Sequence, residues 1–262
     1  MSERYLPVRA LSRGLRLLNA LSRIGPATAA QLATAADVDR TTAYRLLETL
    51  RREGFIVLNV EDKRYSLSAI VRQIADGFTD SDLTSQVVGS ELGRLLTLVK
   101  WPSDFAIFDM GSMVIRESTH RFSLYSIHRA MIGRSRPLLR SALGRAALAV
   151  STPEDRDQMV ELALNTGQLA ADGIVTRKRL EAIVENYHRL GYAQSVDGSE
   201  KGISAIALPV RGPTNIFGAL NIVFFTSAMT PAEAADKYLV SLRETVANIE
   251  AKLRTATPCP MP

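Results

Sequence analysis

Residues 37–55, DVDRTTAYRLLETLRREGF, combine two patterns that decide how the N-terminal part of the chain folds. Four apolar residues recur at helical spacing, so they form one stripe that faces a core: Ala43, Leu46, Leu47 and Leu50. The opposite face carries cations and hydroxyls in its first turns, although the helix dipole favours acids there. This pattern predicts a surface that binds anions; a solvated face on a small helical bundle is the alternative.

Local signals around this stretch predict three helices. A leucine stripe predicts a first helix that ends near residues 25–26, and its members are Leu11, Leu15, Leu18 and Leu21. Thr28 and Gln31 have the spacing of a capping box, which predicts the start of a short second helix. Asp39 is a suitable N-cap for the third helix, and Gly54 is suited to end it.

A β-hairpin is predicted directly after the third helix. FIVLNV and RYSL are β-prone and are joined by the polar turn EDK. Three helices and a hairpin form a winged helix-turn-helix, whose third helix enters the major groove of DNA while the wing meets the flanking backbone. We therefore predict a DNA-binding domain over residues 1–67, with Arg45 at a base edge and Tyr44 on the same face. The predicted phosphate contacts are Arg40, Thr41, Thr42, Lys63 and Arg64.

The distribution of charge agrees with this prediction. Residues 1–66 carry 11 Lys and Arg against 7 Asp and Glu, a balance of +4, whereas the other residues carry 21 against 20. A basic module attached to a nearly neutral body suggests a polyanion as partner. A charge that only keeps the domain in solution is the alternative.

Composition excludes several other classes of protein. A chain of 262 residues with 46% hydrophobic residues is expected to form two domains with proper cores. It contains no apolar run that would span a bilayer and no signal peptide at its start, so we expect a cytoplasmic location. The single cysteine, Cys259, can form neither an internal disulfide nor a cysteine-based zinc site, and residues 256–262 are expected to be a disordered tail.

No catalytic motif is present in the sequence. It contains no HExxH, GxSxG, P-loop or GxGxxG, and the three histidines lack metal-ligand spacing. We therefore expect a protein that is not an enzyme and needs no cofactor or metal. A catalytic pair such as His120 and Glu117, completed by a distant nucleophile, is the enzymatic alternative.

Several motifs resemble the isocitrate-lyase-regulator (IclR) family of bacterial transcription factors, and they occur in the family's order. RGLRLLNAL and DRTTAYRLLETLRREGF resemble its DNA-binding domain. RSALGRAALA resembles a helix start, LGYAQSVDGSEKGISAIALPV a hairpin, and FGALNIVF the last core strand of its effector domain. The resemblance implies a winged helix, a linker helix over residues 68–84, and a domain over residues 85–255 that binds a small organic acid.

The linker segment has a helical pattern of its own. In SAIVRQIADGF, the residues at helical spacing are Ile70, Val71, Ile74 and Phe78. Two interpretations remain open, because this stripe could pair with a second subunit or pack against its own domain.

Helix and strand signals alternate in the body of the chain. LTSQVVGSELGRLLTLV predicts a helix, and FAIFDM and MVIRES predict a hairpin with its turn at residues 111–112. Thr152 and Thr230 each precede a proline and an acid, which predicts two capped helices. A third helix has a stripe made of Leu180, Ile183, Val184, Tyr187 and Leu190. IALPV and IFGALNIVFF predict strands around residues 212–213, so the fold class is α+β, similar to a GAF-like α/β effector-binding domain.

Arginines are dense between Arg116 and Arg145. This stretch contains seven arginines, two histidines and one acid. Because an arginine binds a carboxylate with two hydrogen bonds, the density suits an anionic effector, although surface or dimer-interface charge is the alternative. The candidate effector contacts are Arg116, His128, Arg129 and Arg134.

The resemblance implies a second set of effector contacts. Its members are the main-chain groups of Ala142 and Leu143, the wall residues Ser195 (or Val196) and Ala205, and the strand residues Asn221 and Val223. Ala205 and Val223 are apolar where the family's glyoxylate-binding member has a thiol and a hydroxyl, so a larger, partly aromatic acid is expected. Asn221 could recognise a ligand hydroxyl or be satisfied by its neighbours.

Together with the residue patterns, the resemblance implies a ligand-responsive, DNA-binding regulator of a catabolic operon, expected to be an activator that senses a small aromatic carboxylic acid. The expected partners are double-stranded operator DNA, the effector, RNA polymerase, and further copies of the chain in a dimer or tetramer. A winged-helix protein-interaction module, without effector or sequence-specific DNA binding, is the alternative.

Overall fold

The chain folds into two compact units, residues 1–79 and 80–262. The computed structural model describes residues 8–76, 83–169, 175–212 and 216–256. Phe78 of the expected linker stripe, Pro213 of the expected turn and residues 257–262 of the expected tail lie outside the described residues. None of the described helices is long and apolar enough to cross a membrane.

The first unit is a winged helix-turn-helix, as predicted. Its elements are α1 (Arg9–Ile24), α2 (Ala29–Ala35), α3 (Arg40–Arg52), β1 (Ile56–Leu58), β2 (Tyr65–Leu67) and α4 (Ala69–Asp76). The capping box of Thr28 and Gln31 is present. The Asp39 carboxylate accepts a hydrogen bond from the Thr42 N–H at 2.8 Å and so caps α3. Gly54 follows α3 with φ +79°, the left-handed conformation expected of a helix-ending glycine.

The predicted leucine stripe of α1 faces the core only in its second half, where Leu21 is buried and Leu18 packs against the same core. Leu11 and Leu15 are 62% and 51% exposed, whereas Leu17 is fully buried. Gly14 and Ala20 lie on the same buried face as Leu17. The buried face of the first half of α1 is therefore displaced from the leucine stripe, which the leucine spacing alone does not indicate.

The wing is shorter than predicted and leads directly into α4. The strands β1 and β2 pair only over Ile56–Leu58 and Tyr65–Leu67, so the tip of the hairpin spans residues 59–64. The Ser68 hydroxyl donates a hydrogen bond to the Gly54 carbonyl. Ile70 lies against Gly54, while Ile74 is 57% exposed. The first part of the linker stripe therefore packs within its own unit. This agrees with the interpretation in which the stripe packs against its own domain.

The second unit is an antiparallel sheet with helices on both faces, which confirms the α+β class. Its helices are α5 (Leu83–Val99), α6 (Ala142–Val150), α7 (Pro153–Asn165), α8 (Arg177–Leu190) and α9 (Pro231–Ala256). Its strands are β3 (Asp104–Asp109), β4 (Ser112–Ser118), β5 (Ser135–Arg136), β6 (Ala193–Val196), β7 (Ile203–Arg211) and β8 (Ile216–Phe225). Among the described residues the strand order is β5-β4-β3-β8-β7-β6.

The helix caps predicted for this unit are present, but one turn is displaced. Thr152 caps α7, and Thr230 forms the capping box of α9. Asp109 pairs with Ser112, so the β3–β4 turn consists of residues 110–111 rather than 111–112. Both turn residues have positive φ, which suits the twist of a two-residue hairpin.

Alternate residues of the central strands face two separate cores. Phe105, Ile206 and Leu220 belong to the core formed with α5 and α9. Their neighbours Ala106 and Ala219 belong to the core formed with α6 and α8. The period of two in a strand explains this division. Since the second face carries small residues, it leaves space between the sheet and α6.

Candidate DNA interface and effector cavity

The exposed face of α3 carries unpaired positive charge in its first half. Arg40, Thr41, Tyr44 and Arg45 are exposed, and Thr42 is half-buried. Within the described ranges, neither Arg40 nor Arg45 makes an ion pair or a side-chain hydrogen bond. Their guanidinium groups are therefore available to an external anion.

The second half of α3 is neutralised internally. Glu48 accepts hydrogen bonds at 2.9 Å from both Arg51 and Arg52. These hydrogen bonds lower the pKa of Glu48 to about 2, so its carboxylate stays charged. The available positive charge of α3 thus lies near its N-terminus, the end that contacts base edges in helix-turn-helix proteins.

The two predicted wing contacts differ in their surroundings. Lys63 is exposed at the hairpin tip, with φ +57° and no hydrogen-bond partner for its ammonium group among the described residues. Arg64 donates a hydrogen bond at 2.9 Å to the Pro26 carbonyl. Arg64 therefore ties the wing to the segment before α2, a role that spacing alone did not predict.

A cavity of about 610 Å³, including its mouth, lies on the α6 side of the second unit's sheet. Seven of the predicted effector contacts line it: His128, Ala142, Leu143, Ser195, Ala205, Asn221 and Val223. The motifs taken from the family resemblance therefore converge on one cavity.

The start of α6 presents free N–H groups at this cavity. The Ser141 hydroxyl accepts a hydrogen bond from the Gly144 N–H at 3.1 Å and donates one to the Pro137 carbonyl at 2.7 Å. Ala142 and Leu143 are each 1% exposed, and their N–H groups have no partner among the described residues. Buried, unsatisfied N–H groups at a helix start form an anion site.

The arginine prediction is largely wrong about which residues face the cavity. Arg116 is exposed and pairs with Asp109 at 3.3 Å, and Arg129 is exposed. Arg134 lies in the turn before β5, where its N–H bonds the Met131 carbonyl, and it does not line the cavity. Val196, the alternative to Ser195, is 52% exposed and lies outside the lining as well.

The arginine that lines the cavity is Arg136 on β5. It pairs in register with Met113, a fully buried residue of the core on the cavity side of the sheet. The only acceptor assigned to its guanidinium among the described residues is the Met131 sulfur at 3.8 Å, which is a weak one. Arg136 can therefore bind a stronger anionic acceptor in the cavity.

Aromatic side chains form another wall of the cavity. Tyr125, Phe224 and Phe225 line it. Trp101 packs behind them, with its ring centroid 4.9 Å from that of Tyr125 and 5.7 Å from that of Phe225. Such a wall favours a planar, apolar ligand.

A buried pair of an acid and a histidine, Asp104 and His120, also lines the cavity and was not predicted as a binding site. Asp104 is 1% exposed and His120 4%, and Asp104 Oδ2 lies 3.4 Å from His120 Nε2. Burial by itself raises the pKa of Asp104. The charge and hydrogen bond of His120, together with the Ser118 hydroxyl and Arg136, lower it by more than this, so the pKa of Asp104 lies below its ordinary value. The only hint in the sequence is an acid directly before an apolar strand.

These residues resemble a Ser-His-Asp triad, but the hydrogen bonds differ. The Ser126 hydroxyl donates to the His128 carbonyl at 2.8 Å. The 2.6 Å contact between His120 Nδ1 and Ser126 Oγ is therefore satisfied when the imidazole donates the proton. A serine whose hydrogen is held by a carbonyl is not activated by the histidine as a nucleophile. The same loop is tied to the β6–β7 connection by His128, whose Nε2 lies 2.8 Å from the Glu200 carboxylate.

A winged helix and a separate ligand-binding domain define the class of ligand-responsive transcription factors. The family model described as the bacterial transcriptional regulator IclR C-terminal domain matches residues 85–251, and the IclR helix-turn-helix domain matches residues 10–59. The chain belongs to the IclR family of bacterial transcriptional regulators. It is therefore a regulator and not an enzyme, as the sequence predicted.

Known relatives agree with this assignment. An uncharacterized HTH-type transcriptional regulator of Escherichia coli, RhmR, is 25% identical over 217 residues, which cover 82% of each chain. The crystal structure of Thermotoga maritima IclR has a TM-score of 0.67 at 18% identity, covering 94% of this chain and 99% of that one. An IclR homologue from Microbacterium hydrocarbonoxydans, complexed with 4-hydroxybenzoate, has a TM-score of 0.62 at 20% identity, covering 94% and 99%.

Proposed function

We propose that this regulator senses a small aromatic carboxylic acid in the cavity and activates a catabolic operon in response. The observation that carries the proposal is the composition of the cavity wall, which combines an anion site with aromatic and apolar side chains. Ala205 and Val223 add apolar surface where a very small polar ligand would need hydrogen-bonding groups. The 4-hydroxybenzoate bound by the Microbacterium homologue belongs to the same chemical class.

In this proposal the carboxylate binds at the start of α6. The N–H groups of Ala142 and Leu143 donate to it, and the Arg136 guanidinium supplies the positive charge. Asn221 and Ser195 contribute polar groups on the opposite strands, and His128 borders the cavity beside them. The ring of the ligand then lies along Tyr125 and the phenylalanines.

DNA binding is assigned to α3 and the wing of residues 1–67. Arg45 contacts a base edge beside Tyr44. The phosphate contacts come from Arg40, Thr41, Thr42 and Lys63. Arg64 contributes through the guanidinium N–H groups that are not used in its hydrogen bond to Pro26. Two copies of the chain would bind half-sites about 34 Å apart, or a multiple of this distance. A dimer or tetramer, connected through the linker segment of residues 68–84, is part of the proposal.

Regulation follows from unequal affinities. The effector can shift the balance between arrangements of two winged helices only if it binds one arrangement more tightly than another. Residues 9–21 and 101–139 resemble the activator of the hydroxyphenylpropionate catabolic operon, which supports activation and RNA polymerase as a partner. A cytoplasmic location accompanies this role.

The test is a binding titration that uses Trp101, the single tryptophan of the chain, as a fluorescent reporter of the neighbouring cavity wall. Benzoate, 3-phenylpropionate and their hydroxylated forms are expected to change its emission saturably, and glyoxylate and acetate are not. Arg136→Gln should weaken binding about 10-fold or more, since a charge-assisted hydrogen bond is lost. The matched control is Arg129→Gln, because Arg129 is exposed and lies outside the lining.

Binding of the aliphatic acids alone, or equal effects of the two arginine substitutions, would contradict the proposed effector site. The regulatory part is tested by a gel shift with the fragment upstream of the gene. The complex should be competed by unlabelled fragment, weaken with salt and change its apparent affinity when the acid is added.

A further inference from the structure

The buried Asp104–His120 pair leaves hydrogen-bonding capacity unused at the wall of the cavity. Oδ1 of Asp104 is buried and has no hydrogen-bond partner among the described residues. A buried carboxylate oxygen without a partner is costly, and such groups in native proteins are a sign of a binding role. Since both residues of the pair line the cavity, a bound ligand is the natural source of the missing hydrogen.

The hydrogen bonds of Ser126 orient the His120 ring of this pair. The Ser126 hydroxyl has one hydrogen, which it donates to the His128 carbonyl, so His120 Nδ1 carries the hydrogen shared with Ser126. Nε2 of His120 lies 3.4 Å from Oδ2 of the Asp104 carboxylate and has no hydrogen-bond partner among the described residues. Although burial raises the pKa of Asp104, the neighbouring His120, Ser118 and Arg136 lower it by more, so its carboxylate serves the ligand as an acceptor and not as a donor.

A donor lies beside this acceptor. The Asn221 Oδ1 accepts a hydrogen bond from the Asp104 N–H at 2.7 Å, which fixes the orientation of the Asn221 amide. Its Nδ2 group is therefore left to donate, and no partner for it exists among the described residues. Asn221 is 5% exposed and lines the cavity. The wall thus offers one acceptor and one donor on adjacent strands, β3 and β8.

We propose that Asp104 and Asn221 form a subsite for a hydroxyl group on the effector, so that the preferred ligand is a hydroxylated aromatic carboxylic acid. A hydroxyl group matches the subsite because it donates one hydrogen bond, to Asp104 Oδ1, and accepts another, from Asn221 Nδ2. His120 acts as a positioning residue that keeps the carboxylate charged and oriented. This inference rests on the proposed function and names the polar group that selects among aromatic acids.

The first experiment needs only the full-length wild-type protein and the fluorescence of Trp101. Benzoate and 3-phenylpropionate are compared with their 2-, 3- and 4-hydroxy derivatives and with the corresponding methyl ethers. One hydroxylated isomer should bind roughly 10- to 100-fold more tightly than its parent acid, as expected for a hydrogen bond to a charged group. Its methyl ether should lose this gain, because it retains the acceptor oxygen but has no hydrogen to donate.

The second experiment changes the protein. Asp104→Asn should lower the ratio of the two dissociation constants, parent acid over hydroxylated acid, several-fold towards 1, because its neutral amide oxygen accepts a hydrogen bond more weakly than a carboxylate, while the parent acid binds as before. Ser204→Ala serves as the control at a cavity-lining hydroxyl that already bonds Thr226, and it should leave the ratio unchanged. If Asp104→Asn does not fold, the comparison of hydroxyl and methyl ether in the wild-type protein decides by itself.

The possible failures are distinguishable. If parent acids, hydroxylated acids and methyl ethers bind the wild-type protein equally, the hydroxyl subsite is refuted but the aromatic effector stands. If no aromatic acid binds, both proposals are overturned. A hydroxyl preference that persists unchanged in Asp104→Asn would assign the recognition to other residues and would refute the role of Asp104.

Discussion

Gly144, in the first turn of α6, is the position where a single methyl group should damage the effector cavity. A Cβ atom at this residue would lie 2.0 Å from the Leu138 carbonyl oxygen and 2.6 Å from its carbon. Because contacts under 3.0 Å essentially never occur and these atoms are backbone, the helix start would have to move by roughly 1 Å. The N–H groups of Ala142 and Leu143 would move with it.

The magnitude for Gly144→Ala follows from two opposing effects. Overpacking against backbone costs about 3 kcal/mol, and the better helix propensity of alanine returns about 1 kcal/mol, so a net loss of about 2 kcal/mol is expected. In a domain of this size, that corresponds to a melting temperature lower by about 4–8 °C. Binding of aromatic carboxylates should weaken about 10-fold or more, since the anion site is displaced.

The control is Gly93→Ala in α5 of the same unit. Gly93 is exposed, and no atom lies within 4 Å of its added Cβ. Alanine there should raise stability by about 1 kcal/mol, or about 2–4 °C, with effector binding unchanged. Thermal unfolding followed by Trp101 fluorescence reports on this unit for both variants. If Gly144→Ala were as stable as Gly93→Ala and bound acids normally, the close approach of Leu138 would not matter and the reasoning would fail.

Three further predictions concern the DNA interface and the buried pair. Arg45→Ala should cost about 1–3 kcal/mol of binding free energy at the cognate site and reduce the preference for that sequence. Lys63→Ala should weaken binding to every DNA sequence similarly and reduce the slope of log affinity against log salt by about 1, as measured by fluorescence anisotropy. Equal effects of the two substitutions on every sequence would contradict this division of roles. Arg64→Ala should lower the free energy of unfolding of the winged helix by about 1 kcal/mol, since the hydrogen bond to the Pro26 carbonyl is lost. Thermal melting followed by circular dichroism measures this change. An unchanged melting temperature together with weaker DNA binding would indicate that Arg64 contacts a phosphate instead. Because the pKa of Asp104 is lower in the folded protein, its stabilising contribution is complete above the ordinary carboxyl pKa near 3.8 and is lost as pH falls through the lower, folded value. Melting of the second unit should therefore respond to acid less steeply in Asp104→Asn than in the wild type below about pH 4, and parallel curves would refute the assignment.

Features encoded by neighbouring residues could be predicted from the sequence. The caps at Thr28, Asp39, Thr152 and Thr230 depend only on a side chain and an N–H group two or three positions away, and all are present. The buried face of α1 could be predicted in this way only for its second half. Its leucines fit two adjoining stripes, and the partner helices decide which stripe is buried.

The residues of the candidate site could also be predicted only in part, because the site joins residues that are far apart in the sequence. Residues aligned through family motifs, such as Ala142 and Asn221, line the cavity because their motifs fix their place on helix or strand. Arginine density did not distinguish Arg136 from Arg116, since only the pairing of β4 and β5 decides which one faces the cavity. The bond between Asp104 and Asn221 joins residues 117 positions apart, which no local pattern contains.

Phe224 belongs to both sides of the sheet: it is 1% exposed in the core shared with α5 and α9, and it also borders the cavity. Most other positions of the central strands serve one side only, since alternate residues face opposite layers. Substitutions at positions such as Ala205 and Val223, which line the cavity, would therefore change its wall without altering the packing of the helices on the opposite face. At Phe224, and at Phe225, which also lines the cavity and packs against the same core, a change of the ring would affect both sides of the sheet at once.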